Sequence, residues 1–112
     1  MMKFIALCSA ALAATLSASA FAADKTLADV HAAQGVVCTA CHGAKPGSEV
    51  TTAKCESCHG NYDKLIPLTD KGAVNPHESH LGEPDCSQCH HIHKKSEAAC
   101  NQCHDFAIKM RY

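Results

Sequence analysis

The chain has 112 residues, with 46% hydrophobic types, only 4% aromatics, nine cysteines, nine histidines and a formal charge of −1. That length suits one small domain. A near-neutral balance, with no basic stripe interleaved with aromatics, argues against a nucleic-acid partner.

The N-terminus reads as a targeting segment. Lys3 supplies a positive start, Phe4 to Leu16 is an apolar run broken only by Ser9 and Thr15, and Ala20-Phe21-Ala22 is a small-x-small cleavage pattern. The run is too short for a permanent span, which needs roughly 20 residues. Cys8 follows Leu7, where a lipidation site wants a small residue, so no lipid anchor is expected. The expectation is a signal peptide over 1–22, cleavage after Ala22, a working domain over 23–112 in the periplasm, and no membrane insertion afterwards. That domain keeps Lys or Arg at nine positions and Asp or Glu at eleven, for a side-chain charge of −2, since only Lys3 is lost.

Asp24 to Gly35 reads as a short helix. Thr26 and Asp29 resemble a capping box, Leu27, Val30, His31 and Gln34 recur with helical spacing, and Gly35 is a natural stop. Gly43 to Gly47 is a turn-rich loop around Pro46. Pro67 to Pro84, with three of the four prolines plus Gly72 and Gly82, reads as a long irregular connection. Short helical turns around the cysteines and a frayed end after Phe106 complete the expectation, with no significant sheet. The domain has few large apolar residues: four Leu, five Val, three Ile, one Met, one Phe and two Tyr. Small chains so poor in core need another source of burial.

One five-residue word occurs four times, as Cys38-Thr39-Ala40-Cys41-His42, Cys55-Glu56-Ser57-Cys58-His59, Cys86-Ser87-Gln88-Cys89-His90 and Cys100-Asn101-Gln102-Cys103-His104. Cys-x-x-Cys-His is the attachment pattern for c-type haem. Two thiols three residues apart reach the two vinyl groups of one macrocycle, and the next imidazole turns onto the iron. The four words use every cysteine beyond Cys8. Paired Cys-x-x-Cys spacings also suit zinc, but zinc does not require a histidine after every second cysteine. Disulfides within such short loops would close almost no chain and restrict the unfolded state little.

Beyond the motif histidines stand His31, His77, His80, His91 and His93, five candidates for the four remaining axial places. Only Met110 survives as a methionine alternative. His91 directly follows His90 and points away from its iron, whereas His93 can reach a neighbouring one. The expected axial set is therefore His42, His59, His90 and His104 with His31, His77, His80 and His93. Irons held by two imidazoles have no open position for a substrate, and axial ligation points to low-potential electron transfer rather than catalysis. Four haems within a domain whose radius of gyration is about 12 Å must lie nearly edge to edge.

These residues resemble the small periplasmic tetrahaem cytochromes c, and the related haem domain of soluble flavocytochrome c fumarate reductases. Besides the motifs, the resemblance is carried by Leu27 to His31 before the first of them, His77-x-x-His80 between the second and third, and His93 three residues after His90. It implies short helices and loops wrapped around a chain of four haems. It also implies electron shuttling from a quinol-oxidising membrane cytochrome to terminal reductases or outer-membrane cytochromes. A flavoprotein reductase that takes the chain as its cytochrome subunit is the alternative partner. By position it implies His77 on the first haem, His80 on the second, His31 on the third and His93 on the fourth.

Overall fold

The computed structural model describes residues 24–112. The expected signal segment, 1–22, lies outside the described residues. Four short helices appear in order: α1 (Leu27–Ala33), α2 (Cys38–His42), α3 (Thr52–His59) and α4 (Tyr62–Thr69). Two 3₁₀ turns follow, Cys86–Gln88 and Ala99–Gln102, and there is no strand among the described residues. Small size, short helices and absence of sheet match the expected fold class.

α1 starts where its cap dictates. The Thr26 hydroxyl accepts from the Asp29 N–H at 3.3 Å, and the Asp29 carboxylate accepts from the Thr26 N–H at 2.8 Å. The two bonds the Asp29 carboxylate accepts, from the Thr26 N–H first and from the Thr26 hydroxyl at 2.7 Å second, hold that carboxyl below its ordinary range. The helix is shorter than the Asp24 to Gly35 expectation because residues before the cap cannot join its ladder. A bond from the Ala28 N–H to the Ile92 carbonyl, 2.8 Å, pins α1 to the far end of the chain.

α2 and α3 each end on a motif histidine, and a glycine follows both. Gly43 has φ 65, ψ −150, and Gly60 has φ 84, ψ 168, a region essentially closed to other residues. A Cβ on Gly60 would also stand 2.6 Å from Lys64 Cδ, whereas one on Gly43 would meet nothing within 4 Å. Gly60→Ala is therefore expected to destabilise the protein by about 1–3 kcal/mol, and more than Gly43→Ala, in paired thermal melts.

α4 departs from expectation, because the irregular connection was to begin at Pro67. Tyr62, Leu65, Ile66 and Thr69 share one face of α4, and each is less exposed than Asp63, Lys64, Pro67 and Leu68. Pro67 lacks the N–H that would bond the Asp63 carbonyl, and the helix ends two residues later. From 70 to 85 the chain is irregular, as anticipated, but tied down. Asn75 Nδ2 donates to the Ile66 carbonyl at 3.0 Å, and Tyr62 donates its phenolic proton to the Pro84 carbonyl at 2.7 Å.

The C-terminus is not frayed. The Asn101 amide binds both the N–H and the carbonyl of Ile108, at 3.0 and 2.8 Å, and the Ser96 N–H donates to the Tyr112 carbonyl at 2.9 Å. Burial is nonetheless sparse. Only Tyr62, Ala98 and Ser96 are buried among the described residues, so the polypeptide alone closes almost no hydrophobic core.

Candidate functional site

Each Cys-x-x-Cys-His word forms one helical turn. The first is α2 itself and the second is the last part of α3. The third and fourth are 3₁₀ turns closed by Cys89 N–H to Cys86 carbonyl at 3.3 Å and Cys103 N–H to Cys100 carbonyl at 3.2 Å, and each motif histidine adds a bond to the same carbonyl, His90 at 2.8 Å and His104 at 2.9 Å. In all four, residues i and i+3 share a face, which sets both sulfurs of a motif side by side. The eight cysteines Cys38, Cys41, Cys55, Cys58, Cys86, Cys89, Cys100 and Cys103 form no disulfide with one another.

The histidines meet in pairs, one from a motif and one from elsewhere. His42 faces His93 with ring centroids 6.0 Å apart, and His59 faces His31 at 5.9 Å. His90 faces His77 at 6.0 Å, and His104 faces His80 at 5.9 Å. The resemblance implied different partners, His77 with His42, His80 with His59, His31 with His90 and His93 with His104. The structure brings together none of those four. His31 comes from α1 and His59 from the end of α3, so this pair joins two separate helices. His77 and His80, three residues apart on an irregular segment, face two different motifs.

Two metal–imidazole bonds of about 2 Å, with half a ring on either side, separate the two ring centroids by about 6 Å. The four pairs fit that span. No group of three or more His, Cys, Asp or Glu side chains converges on one point among the described residues. The protein therefore offers two nitrogen donors per site, a donor set that suits an iron whose other four donors come from a macrocycle.

Hydrogen bonds define which nitrogen is free. His31 Nδ1–H donates to the Leu27 carbonyl at 2.8 Å, and His42 Nδ1–H to the Ser48 carbonyl at 2.6 Å. His77 Nδ1–H donates to the Thr69 hydroxyl at 3.0 Å. Since a carbonyl only accepts, and the Thr69 hydroxyl spends its own proton on Asn75 Oδ1 at 2.8 Å, the proton of each ring sits on Nδ1 and the Nε2 lone pair remains available to a metal. Burial pushes the His77 imidazole below its ordinary pKa, and does the same to His90, with neighbouring histidines adding to it. Burial thus disfavours the charged form of both rings, and a metal ligand must be neutral.

Several supporting residues carried no motif signal. Tyr62 packs edge-on against His77, with centroids 5.8 Å apart. Phe106 lies parallel to His104 at 4.6 Å while remaining 44% exposed. Thr52 links the second and third motifs, donating to Asp85 at 2.7 Å and accepting from the Cys86 N–H at 3.2 Å. Cys55 in turn has its thiol pKa raised, by burial first and then by the adjacent Cys86. Only Tyr62 could have been flagged beforehand, from its place in the Tyr62-Leu65-Ile66-Thr69 periodicity.

A family model described as cytochrome c3 matches residues 30–105. A Shewanella frigidimarina protein named "Probable fumarate reductase Ifc3" is 42% identical over 104 residues, covering 88% of this chain. An Eggerthella lenta protein named "Cytochrome c-type protein Cgr1" is 45% identical over 53 residues, covering 46%. This chain spans only 17% and 24% of those two proteins' own length. Among solved structures, the open conformation of a flavocytochrome c3 fumarate reductase matches with a TM-score of 0.62 at 38% identity, over 76% of this chain and 15% of that one.

Proposed function

The chain belongs to the cytochrome c3 family, and from that premise we propose a periplasmic electron carrier with four c-type haems, each iron held by two imidazoles. Covalent haem c and electron transfer come with the family. The number of haems, their ligands and the partners are the proposal. The observation that carries it is the set of four histidine pairs, each 5.9–6.0 Å apart and each with one motif member.

On this reading the haem at each pair supplies a one-electron iron couple. The chain's part is to hold. The cysteines anchor through Cys38 and Cys41, Cys55 and Cys58, Cys86 and Cys89, and Cys100 and Cys103. His42 with His93, His59 with His31, His90 with His77 and His104 with His80 would each hold one iron from two sides of the chain, which would favour electron transfer over chemistry on a bound substrate. Nδ1–H bonds to Leu27, Ser48 and Thr69 make His31, His42 and His77 more basic ligands. No helix among the described residues is long and apolar enough to cross a membrane. Partners in this proposal are a quinol-oxidising membrane cytochrome on one side and terminal reductases or outer-membrane cytochromes on the other.

A second reading draws on the likeness to a named fumarate reductase. There the chain serves as the cytochrome subunit of a flavin-dependent reductase. Stable co-purification with a flavoprotein, and electron delivery to it alone, would favour that reading over the free carrier.

The test is an optical spectrum and intact mass of protein recovered from the periplasm. Low-spin c-type bands and a mass increase of four haems are expected; colourless protein with free thiols would overturn the proposal. A finer expectation concerns ring orientation. The planes are nearly parallel in the His42–His93 and His90–His77 pairs, at 13° and 5°, and steeply inclined in His59–His31 and His104–His80, at 86° and 61°. Axial-ring orientation governs the anisotropy of low-spin ferric iron. Electron paramagnetic resonance is therefore expected to resolve two classes of signal, two irons in each.

A further inference from the structure

The fifth spare histidine has a place in the structure that the ligand proposal does not use. His91 faces no motif ring. Its Nδ1 lies 2.9 Å from the Lys95 carbonyl, and because a carbonyl accepts, that nitrogen carries the proton. The bond crosses the loop that holds His93. The same loop is closed by the His91 N–H to Ser96 Oγ at 3.1 Å and by the Glu97 N–H to the Cys89 carbonyl at 3.0 Å. Ser96, only 3% exposed, is in turn bonded through its N–H to Tyr112.

The loop carries an unusual demand. His90 and His93 are three residues apart but face different partners, His77 and His42. His90 is anchored by its own motif turn, whereas His93 sits on the exposed part of the loop and has no hydrogen bond of its own among the described residues. The aim of His93 therefore depends on the loop's shape. Of the side chains that brace this loop, Ser96 does so from its buried end and His91 from its open side.

Building on the proposed ligation, we propose that His91 is a positioning residue. Its Nδ1–H bond to Lys95 braces the His91–Ser96 loop and keeps His93 directed at the site of His42. Lys94 and Lys95 are both exposed, and the ammonium of Lys95 makes a surface contact with Asp24 at 3.9 Å. Such surface pairs contribute little, so the brace and not the ion pair holds the turn.

The experiment compares holoprotein carrying His91→Phe, which keeps a ring but removes the donor, with His91→Asn, whose amide nitrogen can take the place of Nδ1. Carbon monoxide binds reduced iron only when an axial imidazole lets go, so its rate of capture reports how often His93 releases. One neutral hydrogen bond shifts a local equilibrium by roughly 2- to 12-fold. Capture at one iron is expected to accelerate by that factor in His91→Phe and to return to the parental rate in His91→Asn. The affected iron should be one of the two with nearly parallel rings. An unchanged rate in His91→Phe, or equal acceleration in both variants, would overturn the proposal. Failure of both variants to accumulate would also overturn it, by assigning His91 to the fold instead. If His91→Asn becomes high-spin while His93→Ala stays low-spin, His91 is the ligand; the brace is then wrong and the tetrahaem reading stands. Colourless parental protein is the separate result that defeats the underlying reading.

Discussion

Replacing His31 by alanine is expected to leave the iron of the second motif, held by His59, without its sixth ligand. The protein should then show one high-spin iron among three low-spin ones, and that site should titrate at a higher potential. Axial ligation spans roughly 0.8 V across haem proteins, so losing a whole imidazole outweighs any change in hydrogen bonding around it. His31 has two supports to lose at once, the ring opposite His59 at 5.9 Å and the Nδ1–H bond to Leu27 at 2.8 Å. The variant also discriminates between pairings. If His31 serves His59, the signal lost is one of the steeply inclined class. Electron paramagnetic resonance on the ferric variant reads the answer, and loss from the nearly parallel class would reject the observed pairing.

The largest expected effect on stability comes from withholding haem. A chain produced without haem attachment should be largely unfolded, with weak far-ultraviolet helical signal and collapsed amide dispersion in a nuclear magnetic resonance spectrum. The reason is the thin interior. Tyr62 and Ala98 are the buried apolar residues among those described, with Ser96 the buried polar one. Folding costs about 1–2 kcal/mol per residue in backbone entropy, which three buried side chains cannot offset. The helices are 5 to 8 residues long, and isolated helices below about 12–15 residues are marginal in water. On the proposed ligation, stability would come from burying macrocycle faces and from two iron–imidazole links per site, as in domains where metal binding is coupled to folding. A cooperatively folded haem-free chain would contradict this account.

Charge bears on the partners. Each c-type haem brings two propionates, so four of them would add to a domain already at −2. Docking is then expected against basic surfaces, with association slowing as salt rises.

The attachment chemistry was legible because it is contiguous. Cys55 and Cys58 must lie three apart, and His59 must follow, whatever the rest of the chain does. The α1 cap was equally legible, since Thr26 and Asp29 satisfy each other locally. α4 was legible in principle from Tyr62, Leu65, Ile66 and Thr69, but Pro67 masked it; a proline near the end of a helix removes one bond without cancelling an apolar face. The pinned C-terminus was not legible, because the Asn101 amide that binds Ile108 looks like any exposed motif residue until the tail folds back on it.

The sequence by itself determined what the site is made of: four thiol pairs, four imidazoles bound to them by spacing, and a small surplus of histidines to choose from. Which surplus histidine meets which motif was decided only in three dimensions. His77 and His80 are near neighbours in the chain yet face His90 and His104, while His31 and His59 are 28 positions apart and face each other. Pairing depends on where α1 anchors, how the 70–85 connection is tied to α4, and how the His91–Ser96 loop turns. The first two rest on bonds between distant positions, Ala28 with Ile92 and Tyr62 with Pro84, which no spacing rule along a chain encodes.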